Sequence, residues 1–305
     1  MASIPYVREL SFEYGRADDV TPLIRRVIAN NPGPFTYLGT GTYIVGHGEV
    51  AVIDPGPDDP AHLEALLAAI DGERVSHILV THHHSDHSPL ARALKEHTGA
   101  LVHGLAVKTT PEQGEIKLEA GYDHFAPDIT VHGGETIAGP GWTIEALHTP
   151  GHTSNHICYA LHEENALFSG DHIMGWSTTV ITPPDGDMGD YMRSLQAVKD
   201  RKFATLWPTH GPPITEVGPF IDAYAAHRRA REAQILAELA AGASRIKDMV
   251  PRLYAAVDQR LWPAAAHSVL AHMLELVKTG RVVADGEPGL DSDYRLASGE
   301  AARLE

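Results

Sequence analysis

Short apolar runs rich in β-branched residues alternate with turn residues through the first two hundred positions. Thr42-Tyr43-Ile44-Val45-Gly46 and Val50-Ala51-Val52-Ile53-Asp54 flank His47-Gly48-Glu49 and predict a hairpin. Pro60 to Ile70 places Leu63, Leu66, Leu67 and Ile70 on one face, the pattern of an amphipathic helix. A strand over Val75 to Val80, a helix from about Pro89 to His97 and a strand over Ala100 to His103 follow. A second β-rich half contains Trp142 to His148, His156 to Leu161 and Ala166 to Ser169, each running into a polar loop. A helix over Asp190 to Arg201 and a short strand over Ala204 to Pro208 end this part. Two strand-rich halves, each with covering helices, predict two packed sheets flanked by helices.

The pattern changes near Pro219, where Ala, Arg, Glu and Leu take over. Phe220 to Ala240, Ser244 to Ala256 and Trp262 to Lys278 read as helices. Gly280 to Ala284 and Asp293 to Leu296 read as a terminal hairpin. This order predicts two units, residues 1–219 and a winged-helix-like unit over 220–305. From Asp222 to Glu305 there are 11 basic and 12 acidic residues, which is not the basic footprint of a DNA reader. A structural or dimerising role for the second unit follows, so a homodimer is an expected assembly.

Composition narrows the classes further. A chain of 305 residues that is 43% hydrophobic can bury a sizeable core. Its net charge of −16 argues against broad binding to nucleic acid or to an anionic membrane. The one cysteine, Cys158, lies in an apolar run and reads as a buried strand residue. The first ten residues carry no apolar signal segment, and no apolar stretch is long enough to cross a bilayer. A cytoplasmic location is the expectation.

Chemistry concentrates in Thr81-His82-His83-His84-Ser85-Asp86-His87, directly after the Val75 to Val80 strand. Loops at the carboxyl ends of strands are where open α/β sheets hold ligands. Neutral imidazole and carboxylate are ligands for zinc, manganese and iron. Three further loops end strands with His or Asp beside Gly or Pro: His148 to His156, Phe168 to His172, and Trp207 to Gly211. A lone histidine after a strand is usually a packing or capping residue. Four such loops opened by His-x-His-x-Asp-His point to a metal site.

These residues resemble the metallo-β-lactamase-fold hydrolase superfamily. Asn31 to Thr36, Gly39 to Tyr43, Ser169-Gly170-Asp171 and the helical tail resemble the branch that contains β-lactamase-like protein 2 and related bacterial hydrolases. Gly41 departs from that branch, where Asn is expected. The resemblance implies an αββα four-layer sandwich followed by a small helical, winged-helix-like domain. It also implies two divalent metal ions, zinc by default with iron or manganese as alternatives. His82, His84 and His152 would hold the first, Asp86, His87 and His210 the second, and Asp171 would bridge them. Asp86 and Asp171 are the candidate catalytic residues. Two metals about 3.5–4 Å apart can share a water, lower its pKa and stabilise both reacting oxygens.

Other residues carry weaker expectations. Asp54, at a strand end, is implied to organise the loops behind the ligands. His156 is expected behind His152 or as a packed strand residue. His83 is expected to point away from its ligand neighbours. His172 is a candidate proton donor to a leaving group, and His103 a candidate substrate contact. The Pro183 to Asp187 loop is expected to rim the pocket. The reading is a dinuclear metal-dependent hydrolase acting through a metal-bridged hydroxide on a small ester or thioester. A single-strand-specific endoribonuclease is the first alternative, with RNA as its partner. A metal- or ligand-sensing DNA-binding regulator is the alternative of another class. β-Lactam hydrolysis is a poor third activity without an export signal.

Overall fold

Runs of isoleucine, valine and alanine become strands because both of their faces are covered, which makes apolar residues favourable at every position. The computed structural model describes residues 4–107 and 124–300. The first half forms β1 (Ala17–Asp19), β2 (Ile24–Ile28), β3 (Gly41–Val45), β4 (Glu49–Ile53), α1 (Pro60–Ala69), β5 (Arg74–Leu79), α2 (Leu90–Thr98), β6 (Leu101–Gly104) and β7 (Ile129–Thr130). The second forms β8 (Thr136–Gly139), β9 (Trp142–His148), β10 (Ile157–Leu161), β11 (Ala166–Gly170), α3 (Met188–Arg201) and β12 (Thr205–Pro208). The tail forms α4 (Val217–Ala240), α5 (Ile246–Leu253), a 3₁₀ turn over Gln259–Leu261, α6 (Trp262–Lys278), β13 (Val282–Ala284) and β14 (Tyr294–Leu296).

One sheet runs β1 to β7 in sequence order, and the other runs β12-β11-β10-β9-β8. Their facing sides share a core containing Tyr43, Val45, Ile53, Leu79, Ile144, Tyr159 and Phe168. The outer face of the first sheet packs Val52, Ile78 and Val102 against Leu66 and Ile70 of the α1 region and Leu94 of α2. The outer face of the second packs Cys158, Ala160 and Leu206 against Tyr191 and Leu195 of α3 and Phe220 and Tyr224 of α4. Three cores between four layers give the αββα sandwich. The tail has a fourth core of its own, with Ile235, Met249, Val269, Met273 and Tyr294. Helix α4 contributes to two of these cores, Phe220 to Tyr224 in the catalytic half and Ile235 to Leu239 in the tail.

Local chemistry sets the element ends. The Asp59 carboxylate accepts from Ala61 N and Pro60 opens α1, while Asp187 caps α3 through Asp190 N. Gly99, at φ 75°, closes α2. Strands β1, β2, β7 and β8 were not expected from the pattern. β1, β7 and β8 are short and largely open to solvent, and β2 reads IRRVI, where two arginines break the alternation.

Strand direction decides where the chemistry gathers. β4 and β5 are parallel, as are β11 and β12, and β9 runs with them because both pair antiparallel to β10. The carboxyl ends of these strands therefore open on one edge of the sandwich. Cross-sheet bonds hold that edge: Ile157 N donates to Thr81 O at 2.8 Å, Gly41 N to Thr209 O at 2.8 Å, and Tyr43 Oη to Pro208 O at 2.7 Å.

Candidate metal centre

Every loop that the sequence singled out ends on that edge. His82, His84, Asp86 and His87 follow β5, His152 follows β9, Asp171 follows β11 and His210 follows β12. Their ligand atoms form three overlapping groups: His82 with His84 and His152; Asp86 with His87 and His210; and His82 with His87 and Asp171. His84 Nδ1 lies 2.9 Å from His82 Nε2 and 3.1 Å from His152 Nε2. His210 Nε2 lies 3.1 Å from Asp86 Oδ2, and His87 Nε2 lies 3.6 Å from that oxygen. Asp171 stands between the groups. Its Oδ1 is 3.6 Å from His87 Nε2 and 3.5 Å from His210 Nε2, and its Oδ2 is 3.9 Å from His152 Nε2.

The far nitrogens fix which lone pairs face inward. His87 Nδ1 meets Asp54 Oδ2 at 2.9 Å, His152 Nδ1 meets Val180 O at 2.6 Å, and His210 Nδ1 meets Gly39 O at 3.2 Å. Each of these oxygens can only accept, so each ring carries a proton at Nδ1 and presents Nε2 as its inward-facing atom. His82 Nδ1 meets Thr81 Oγ1 at 3.0 Å, and that hydroxyl already donates to Asp54 Oδ2. The same tautomer follows.

His82 Nε2 and His152 Nε2 both face His84 Nδ1, at 2.9 and 3.1 Å, and a single ring proton there can serve only one of them. His87 Nε2, His210 Nε2 and Asp171 Oδ1 are buried without a hydrogen-bond partner. Unsatisfied buried acceptors are costly. Two nitrogens each about 2.0–2.1 Å from one tetrahedral ion would sit about 3.3 Å apart. Donor type, spacing and orphaned lone pairs all fit divalent cations.

The electrostatics agree. Burial holds His82 and His84 well below the usual imidazole range, and neighbouring imidazoles push further the same way. Burial alone would lower His87, but Asp86, Asp171 and Asp54 together raise it well above. Burial would raise Asp86 and Asp171, yet the adjacent imidazoles, His87 for one and His210 for the other, hold both carboxylates low. The cluster therefore combines imidazoles held neutral at His82, His84 and His152 with ionised carboxylates that draw positive charge, a proton or a cation, to His87 and His210.

The remaining candidates fall around this centre in distinct ways. Asp54, at φ 49°, accepts from Thr81 N, Thr81 Oγ1, Thr209 Oγ1 and His87 Nδ1, each within 2.9 Å. It ties the loops of β4, β5 and β12 to one carboxylate. His156 accepts from Asp171 N at 3.2 Å and contacts Thr149 Oγ1 at 2.9 Å, so it supports Asp171. His83 turns to Asn155 Oδ1 at 3.0 Å. His172 is fully buried, with its ring 5.0 Å from that of Tyr191, and burial pushes it down to about 3. His103 packs its ring against His77, with centroids 5.0 Å apart. Cys158 is buried in β10, its thiol pushed up to about 12 by burial. Gly41 is pressed against the Thr209 carbonyl, which a Cβ would meet at 3.2 Å. The Pro183 to Asp187 loop is tied to the His152 loop through Asp187 N and Gly151 O at 3.0 Å.

Sequence reasoning missed the wall formed by Tyr37 and Trp176. Their rings stack at 4.8 Å, and Trp176 touches the backbone at Gly211, next to His210. It also missed the strip from Ser177 to Val180. Thr179 Oγ1 donates to Asp171 O at 2.8 Å, and Val180 O holds His152. Neither carries a polar cluster or a motif that would mark it in a single sequence.

Residues 37–210 match the Metallo-beta-lactamase superfamily, and residues 246–291 match the Beta-lactamase associated winged helix domain. An Atrochrysone carboxyl ACP thioesterase of Claviceps purpurea is 33% identical over 78% of this chain and 74% of its own length. A Beta-lactamase-like protein 2 homolog of Caenorhabditis elegans is 32% identical over 87% of this chain and 88% of its own. The crystal structure of a beta-lactamase domain protein from Burkholderia ambifaria superposes with a TM-score of 0.78, at 21% identity, covering 95% of this chain and 96% of that one.

Proposed function

This chain belongs to the metallo-beta-lactamase superfamily and is a metal-dependent hydrolase with a C-terminal winged-helix domain, and on that premise we propose that it hydrolyses a small acyl thioester in the cytoplasm at a dinuclear centre. His82, His84 and His152 hold one ion in this reading, Asp86, His87 and His210 the other, and Asp171 faces both. The observation that carries it is the inward convergence of buried imidazole nitrogens around Asp171, whose two oxygens face different histidine groups.

Divalent ions bound there would supply Lewis acidity, bringing the pKa of a water toward neutrality and withdrawing charge from a carbonyl oxygen. The protein's own groups do the rest. Asp86 is 24% exposed at its side chain while Asp171 is 4% exposed, so Asp86 is the carboxylate that can meet an incoming water and orient it by accepting its hydrogen bond. Asp171 keeps its orientation through His156, which holds its backbone N–H, and through Thr179, which holds its carbonyl. Water adds to the acyl carbon, the C–S bond breaks, and the products are a carboxylic acid and a thiol. A thiolate is a good leaving group, so this reaction needs no strong general acid. That suits a site whose candidate proton donor, His172, is held neutral by burial.

The thioesterase relative supports the substrate class, and the net charge of −16 disfavours a nucleic acid. The test is to assay metal-quantified protein on an acyl-thioester panel and on labelled single-stranded RNA, with Asp171→Ala alongside. Thioester turnover that disappears in the variant is the expected result. RNA cleavage that disappears in the variant, with no thioester turnover, overturns the proposal and assigns a phosphodiesterase.

A further inference from the structure

Helix α4 carries two arginines on a stripe that is otherwise core. Phe220, Ile221, Tyr224, Ile235 and Leu239 are buried, and Arg228, between them, is 4% exposed. Arg231 follows one turn later and is partly exposed, as is His227. His272 approaches from α6 and is 2% exposed. Among the described residues, none of these four side chains forms an ion pair with a carboxylate, and neighbouring Glu232 is engaged by Arg281.

The contacts these groups do make are to neutral partners. Arg228 donates to Thr179 O and lies over the Tyr191 ring at 5.1 Å. Arg231 donates to Leu253 O at 2.8 Å and lies over the Tyr254 ring at 4.1 Å. Arg228 Nε, Arg231 Nε, His227 Nδ1 and both ring nitrogens of His272 remain buried without a partner. Burial, then Arg228, Arg231 and His227, push His272 down to about 3; burial and the two arginines push His227 down to about 4. Both imidazoles are therefore neutral near pH 7, and each offers an N–H beside two permanent cations. Water could satisfy the hydrogen bonds. It could not balance the Arg228 guanidinium charge drawn out of solvent beside that of Arg231, which is the larger cost.

We propose that His227, Arg228, Arg231 and His272 form an anion-binding recess that takes a compact oxyanion, a carboxylate or a phosphate. Guanidinium presents donors in a planar fork that matches both groups, and the imidazole N–H donors complete the set. The recess lies on the seam between the catalytic half, which gives Thr179 and Tyr191, and the winged-helix part, which gives Leu253, Tyr254 and His272. Thr179 also bonds the Asp171 carbonyl and precedes the residue that holds His152. An oxyanion bound here is thus fixed relative to the metal centre through one short strip of backbone. That the oxyanion is borne by the substrate rests on the hydrolase reading above, and it gives the winged-helix part a role in substrate selection.

Calorimetric titration of the metal-loaded full-length protein at pH 7.5 tests this, with inorganic phosphate and succinate as separate probes. Wild type is expected to bind one equivalent of at least one probe, and the stronger probe identifies the oxyanion. Binding should weaken at least tenfold in Arg231→Gln and in His272→Gln and persist in Asp171→Ala. If Arg231→Gln unfolds, His272→Gln carries the same comparison. Absence of binding in wild type overturns the proposal. So does binding unchanged in the recess variants, or binding lost in Asp171→Ala and kept in Arg231→Gln, which would place the anion at the metal centre. The titration reads binding without turnover, so failure of the thioester assay leaves it intact.

Discussion

Asp54 shows how one residue can matter to a metal site that it does not join. Its left-handed backbone, at φ 49°, aims the carboxylate into the strand ends, where four donors converge on two oxygens. Asp54→Asn keeps the shape but turns an amide N–H₂ or a weaker acceptor toward those donors. Metal affinity should fall about 10–100-fold, read by competition with a chromophoric chelator, and unchanged affinity would remove Asp54 from the centre's support. Gly170 is constrained from the other side. At φ 52°, a Cβ would stand 2.6 Å from His156 Nε2, so Gly170→Ala should displace the imidazole that holds Asp171 and cost about 2–3 kcal/mol in chemical denaturation. A third residue sets a pH dependence away from the ligands. His62 is 3% exposed beneath the Asp54 turn, and burial pushes it down to about 4. Its folded value lies below its unfolded one, so the unfolded chain binds more protons. Its contribution is whole above about pH 6.5 and is lost as pH falls toward 4. Between pH 7.5 and 4.5 this amounts to about 2–3 kcal/mol. His62→Gln should flatten that part of the stability–pH curve, and a curve parallel to wild type would show that His62 takes up its proton alike in the folded and unfolded chain.

At the scale of elements, long buried strands and amphipathic helices were legible because their patterns are local. Val75 to Val80, His156 to Leu161 and the α3 and α6 regions appear close to where the pattern put them. β1 and β7 were illegible because a short strand that pairs on few residues and faces solvent has no need of apolar side chains. The metal-ligand loops were legible as chemistry, since His-x-His-x-Asp-His is dense enough to stand out. Their supports were not. Val180 O and Gly39 O act through backbone carbonyls, which any residue supplies, so no sequence signal marks them. The strip from Ser177 to Val180 depends on α4 in the same way. Tyr224 Oη bonds Ser177 O and receives Thr179 N, linking that helix to the carbonyl that holds His152. Tyr224→Phe removes only the hydroxyl. It should cost about 1–2 kcal/mol of stability and weaken metal binding several-fold, with the ring packing intact. Loss of stability without loss of metal affinity would limit Tyr224 to a role in the core.

At the scale of the whole molecule, α4 makes the two parts hard to separate. Its first turns fill the catalytic core and its last turns fill the winged-helix core. A chain ending at Pro219 would leave Cys158, Tyr191 and Leu195 facing water where Phe220, Ile221 and Tyr224 had packed. It should be insoluble or molten, whereas a chain that extends through α4 should regain secondary structure by circular dichroism. The metal centre joins the layers in a second way, because its residues come from both sheets and converge on one edge. Without cations, orphaned nitrogens and ionised carboxylates are confined together in a buried space, and the native state carries that cost alone. Ions that bind the folded chain and not the unfolded one stabilise it by about 4 kcal/mol when present at a thousand times their dissociation constant. Chelation should therefore abolish hydrolysis and lower the melting temperature by several degrees, and added zinc, manganese or iron should restore both. The metal that restores activity at the lowest free concentration is the one the centre selects. If chelated protein melts at the same temperature and keeps its activity, the convergence of seven side chains on one edge has another purpose, and the metal reading fails.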